Sequence, residues 1–157
     1  KQPSLDNLLS KQTDIDLRIP ALLPDDYIFD VSIRLSLYKR IASCTNANQL
    51  DEIQVELIDR FGLLPDASKN LIHIAKLRLK AQAIGIARID LGPEGGTVEF
   101  SDDTKVNPMY IISLMQQQPK IYKMEGANKL KFKLKSEDSK SRLQLVSSML
   151  ADFHKQI

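Results

Sequence analysis

The chain has a single cysteine, no apolar run of membrane-spanning length and almost no net charge, and each shortage removes a class of function. With Cys44 alone, an intrachain disulfide is impossible, and a lone thiol suits a reducing compartment, the cytoplasm. No stretch approaches the roughly 20 apolar residues that a bilayer-spanning helix needs. A formal net charge of +2 supplies no global attraction to nucleic acid or anionic lipid, so any such affinity has to come from a local patch. The first residues, Lys1-Gln2-Pro3-Ser4, include neither an initiator methionine nor the apolar core of a signal peptide, and the chain reads as a cytosolic fragment of something longer. What is present is ordinary. The 157 residues are 43% hydrophobic and 27% charged, enough to bury a real core and too apolar for wholesale disorder.

Residues 1–12 are polar with scattered leucines and show no period. From Thr13 to Arg18 the pattern alternates, with Ile15 and Leu17 on one side, and predicts a short strand. Pro20 and Pro24 make 19–28 an extended connector. Asp30 caps a first helix with Val31, Ile33, Leu35, Leu37, Tyr38 and Ile41 as its apolar positions. Asn46 opens a second, with Gln49 three residues on in a capping-box arrangement and Leu50, Ile53, Leu57 and Phe61 as the buried stripe. Gly62 is its left-handed stop. Pro65 suits the first turn of a third helix running to about Ile84 and ending at Gly85.

Beyond Gly85 the period falls to two. Two strand-like runs flank Gly92-Pro93-Glu94-Gly95-Gly96 and predict a β-hairpin. Asn107 before Pro108 caps a fourth helix carrying Ile111, Ile112, Leu114 and Met115, which Pro119 ends. A second hairpin joins 121–124 to 129–135, and Ser136 caps a final helix with Leu143, Val146, Leu150 and Phe153 inward. The fold class expected is α+β: a helical lobe of three helices, then an antiparallel sheet of two hairpins with interleaved and C-terminal helices.

Catalytic chemistry is hard to find in this pattern. No G-x-x-x-x-G-K-[ST] occurs, and the glycines at 92–96 lie between two strands, so they cannot aim helix amides at a phosphate. Cys44, His73 and His154 stand apart, without a second Cys or His at ligand spacing. No nucleophile has a convincing base beside it in sequence. The expectation is a chain that is not an enzyme, with no cofactor, no metal and no small-molecule substrate.

Two charged features remain. Glu52, Glu56 and Asp59, at i, i+4 and i+7, stack on one solvent-facing stripe of the second helix. Such a stripe is either a solvated face or a docking surface for a basic protein, because carboxylates repel DNA and form directional pairs with arginine. The other feature is a comb of Lys129, Lys131, Lys133 and Lys135, interleaved with Leu130, Phe132 and Leu134. Period two sends the lysines outward. They either guard an edge strand against aggregation or neutralise phosphates in an accessory DNA-binding role, without an exposed aromatic to stack on bases.

The segments I-P-A-L-L-P-D-D-Y-I (19–28), R-L-S-L-Y-K-R-I-A (34–42), V-E-L-I-D-R-F-G-L-L-P (55–65) and K-L-K-F (129–132) together resemble the C-terminal domain of the bacterial transcription-repair coupling factor (Mfd) family, from about Thr13 to the last helix. The resemblance implies a parent that is an ATP-dependent DNA translocase acting on stalled RNA polymerase and recruiting excision repair, with its motor motifs upstream. It implies that 1–28 links to the preceding translocase module and that 29–157 is a regulatory clamp. It further implies docking on a UvrB-like N-terminal module of the same parent, masking the surface that UvrA recognises. The family's contact positions match Glu56 and Asp59 here, and arginines of the UvrB-like module would be their partners; Glu52, on the same stripe by spacing, would supplement them.

Overall fold

The computed structural model describes residues 12–157; the expectation for residues 1–11 lies outside them. The chain divides into two compact units, one formed by residues 19–79 and the other, among the described residues, by 12–18 with 80–157. Residues 19–28 are not a free connector, since Leu23 and Ile28 are core residues of the helical unit.

The helical unit holds α1 (Val31–Ser43), α2 (Ala47–Phe61) and most of α3 (Asp66–Ala83). Its boundaries follow from local chemistry. The Asp30 carboxylate accepts the Ile33 N–H at 3.2 Å, and the Asn46 side chain accepts the Gln49 N–H at 2.9 Å, each satisfying an amide that the helix itself cannot. Gln49 reaches back one residue further than a strict capping box, accepting from the Thr45 N–H at 2.7 Å. Gly62 stops α2 at φ +93° with open space around it, a conformation that a side chain would make costly.

Leu50, Ile53 and Leu57 of α2 are buried with Leu37 and Ile41 of α1 and Ile72 and Ala75 of α3. Tyr27 anchors the incoming segment, its ring edge-on to Phe61 and its hydroxyl donating to the Gly62 carbonyl at 2.8 Å. Two apolar positions expected on the inner side of α1 face water instead: Val31 and Leu35 are more than half exposed. Six apolar residues in eleven exceed what a single helix face can bury.

The second unit is built on one five-stranded sheet in the order β1-β2-β3-β5-β4. The strands are β1 (Asp14–Asp16), β2 (Ile86–Gly92), β3 (Gly95–Phe100), β4 (Tyr122–Glu125) and β5 (Lys129–Phe132). Both hairpins are antiparallel, as the periodicity predicts. The sheet is nonetheless mixed, because β1 adds in parallel to β2, with Ile15 opposite Ile89.

Alternation sends Ile89, Leu91, Val98, Phe100, Leu130 and Phe132 to a buried inner face. Phe153 of α5 (Ser139–His154) meets Phe100 edge-on at 5.5 Å, and Tyr110 of α4 (Pro108–Gln117) meets Phe153 at 5.9 Å. Both helices thus lie on that face. None of the four apolar residues expected inside α4 is fully buried. The cap of α5 is Asp138, not Ser136: Asp138 and Ser141 bond reciprocally. Ser136 is buried and serves Arg142 instead, accepting from its Nε at 3.2 Å and, through its carbonyl, from Nη2 at 2.7 Å. Arg142, only 4% exposed, also donates to the Leu17 carbonyl at 2.9 Å. It ties the exit of β1 to the start of α5 and, among the described residues, takes part in no ion pair.

Candidate functional site

The acidic stripe lies on α2, whose inner side is fixed by Leu50, Ile53 and Leu57; the opposite side therefore faces solvent. Glu52 and Asp59 are exposed and make no hydrogen bond or ion pair among the described residues. Glu56 differs. Its two oxygens accept from Nη1 and Nη2 of Arg40, both at 2.8 Å, in a bidentate pair across α1 and α2. Arg60, one turn on, donates to the same carboxylate at 2.9 Å.

These three bonds use most of the roughly four acceptor sites of a carboxylate. The two guanidinium groups, Arg40 first, hold the Glu56 carboxyl well below its usual 4.5, at about 2, and Glu56 in turn raises Arg40. Two of the three expected carboxylates thus stand free, and the third is already claimed from within the unit. The spacing of Glu56 and Arg60 signals their pairing in the sequence. The Arg40 pair, 16 residues apart and across helices, has no such signal. Beside this cluster Ser32, Ser36, Arg40 and Arg60 edge a shallow pocket of about 190 Å³. Exposed Val55 lies between Glu52 and Asp59 on the outer side of α2.

The lysine comb also differs from its expected form. The strand is shorter, 129–132, and it is interior, lying between β3 and β4. Edge protection is therefore not its role. Lys129 is half-buried, and its register neighbours are Glu99 and Glu125, one on each side. Lys131 instead faces Thr97 on one side and Lys123 on the other. Lys131, Lys133 and Lys135 border an open groove of about 550 Å³ that Glu94, Gly95 and Gly96 also line.

Cys44 is buried, and burial pushes its thiol up, away from a reactive thiolate. Among the described residues no group of three or more His, Cys, Asp or Glu side chains is arranged to hold a metal ion, and no helix is long and apolar enough to cross a membrane.

An α+β chain of this build falls into a defined class: residues 17–111 match the family model described as the TRCF domain. The transcription-repair-coupling factor of Haemophilus influenzae is 51% identical over 150 residues, which is 96% of this chain and 13% of that protein. That of Escherichia coli (strain K12) is 47% identical over 152 residues, 97% of this chain and again 13% of the relative. A crystal structure described as the C-terminal domain of transcription-repair coupling factor has the same fold. Its TM-score is 0.71 at 23% identity, covering 92% of this chain and 94% of that one. The chain belongs to the transcription-repair coupling factor family, and it spans about an eighth of the length of these two relatives.

Proposed function

We propose that the chain is a non-catalytic regulatory module of a DNA translocase that couples transcription to excision repair. It docks through the outer face of α2 on a UvrB-like module of the same parent and so masks the surface that UvrA recognises. The parent's contacts with RNA polymerase, DNA and UvrA belong to this reading. The observation that carries it is the unpartnered state of Asp59 and Glu52, flanking exposed Val55 on one helix face. Free carboxylates around an apolar centre suit a partner that brings arginines.

The claimed state of Glu56 refines the reading. An incoming arginine either uses its remaining acceptor site or displaces Arg60, so Glu56 contributes less net attraction than Asp59. Exposed pairs of this kind contribute about 0.2–1 kcal/mol each. A latch built from them closes only because tethering supplies a high effective concentration, and it reopens when the parent changes shape. The test is Glu56→Lys with Asp59→Lys in the full-length parent, with UvrA binding as the readout. Increased binding supports the mask, and unchanged binding rejects it.

A further inference from the structure

The outer face of the sheet carries a charge gradient. Across the strands one row of register neighbours reads Asp16, Asp90, Thr97, Lys131 and Lys123, from β1 to β4. The adjacent row reads Asp14, Arg88, Glu99, Lys129 and Glu125, alternating in sign. Within that second row Arg88 is ion-paired to Asp14, and it also holds Asp90 of the first row. At the other end of the first row the positive charge gathers, with Glu94 the one acidic side chain among the residues that line the groove there. Lys123, Lys131, Lys133 and Lys135 take part in no ion pair among the described residues, whereas Arg40, Arg60, Lys69, Lys76 and Arg88 each do.

Like charges directly opposite across two strands destabilise a sheet, and Lys123 and Lys131 are such a pair. The interior position of β5 removes the edge-guarding explanation for them. The backbone that carries the lysines is also fixed beyond the strand: the Lys133 N–H donates to the Ile121 carbonyl at 2.9 Å and the Ser136 N–H to the Pro93 carbonyl at 2.9 Å. Alternate residues along such a backbone stand roughly 6.6 Å apart, a spacing at which neighbouring lysines reach separate phosphates. The groove that Lys131, Lys133 and Lys135 border is open, and Gly95 and Gly96 are among its lining residues, so a broad ligand can approach the backbone.

We propose that Lys123, Lys131, Lys133 and Lys135, with the groove at 94–97, form a docking site for the phosphate backbone of duplex DNA. Lys129, half-buried with a glutamate as register neighbour on each side, is not part of it. The site has no exposed aromatic ring for unstacked bases to rest on, which favours a duplex over a single strand. Sequence-independent binding follows, since lysines on a sheet face contact phosphates and not base edges. Asp16, at the far end of the row, repels the backbone and sets the side on which it lies.

The test is fluorescence anisotropy of a labelled DNA duplex titrated with the 157-residue chain across a salt series. Replacing all four lysines by Gln is compared with Gln at Lys39, Lys69, Lys80 and Lys140, which removes the same charge elsewhere; circular dichroism confirms that both variants fold. The groove variant is expected to lose at least about tenfold in affinity and to reduce the salt slope by about four, one per phosphate contact, while the control loses little. Equal loss in both variants overturns the proposal. Tighter binding to single-stranded DNA of the same length, or equal competition by polyaspartate at matched charge, overturns it too.

Discussion

Replacing Glu56 by Gln removes one charge and keeps the shape, and the effect can be worked from the cluster's geometry. Three N–H donors, at 2.8, 2.8 and 2.9 Å, converge on the carboxylate. A carboxyl held at about 2 in place of 4.5 sets a ceiling of roughly 3 kcal/mol on the stabilisation of its charged form. The Arg40, Glu56 and Arg60 side chains are 45%, 33% and 43% exposed, so solvent screening lowers the realised value to about 1 kcal/mol. Because the folded value is depressed, the stabilisation is fully present above pH 4.5 and is lost as pH falls from there towards 2. The assay is urea denaturation of wild type and Glu56→Gln followed by far-UV circular dichroism at several pH values, with a ¹³C carboxyl titration of Glu56. The variant should be less stable by about 1 kcal/mol at pH 7, and the difference should close near pH 2. Equal stability at pH 7, or a Glu56 midpoint at its usual 4.5, would refute the reasoning.

Arg142→Ala should cost about 3 kcal/mol, because it leaves the buried Leu17 and Ser136 carbonyls without a charged donor; a loss below about 1 kcal/mol would show that water replaces the guanidinium. Native Cys44 should resist alkylation until the helical unit opens, since it is buried with its thiol raised by that burial. Its iodoacetamide labelling should therefore rise with urea along the unfolding curve, and rapid labelling of the native chain would contradict the placement.

The features legible in the sequence were those set by neighbours in the chain. Asp30, Asn46, Asn107 and Gly62 act on amides and carbonyls within a few residues, so residue type and position sufficed. The two hairpins were legible for the same reason. Pairing between distant segments was not. That β1 adds to β2, or that β5 lies between β3 and β4, depends on contacts that no local period encodes. Edge protection stood as an alternative for the lysines because of that gap.

Ser136 and Asp138 competed for the same cap, and the choice was made by Arg142, whose burial a polar-looking position conceals. At the site, the outward direction of Glu52, Glu56 and Asp59 followed from helical spacing. The capture of Glu56 by Arg40 did not, because it requires the packing of α1 against α2.

The central claim is that the outer face of α2 holds a basic surface of the parent. Calorimetric titration of this chain with the isolated UvrB-like module tests it most directly, comparing wild type, Asp59→Lys, and Asp59→Lys with Glu56→Lys. Asp59→Lys should produce most of the loss and the double change should weaken binding at least about tenfold, with the loss shrinking at high salt. Binding that is the same in all three proteins would contradict it.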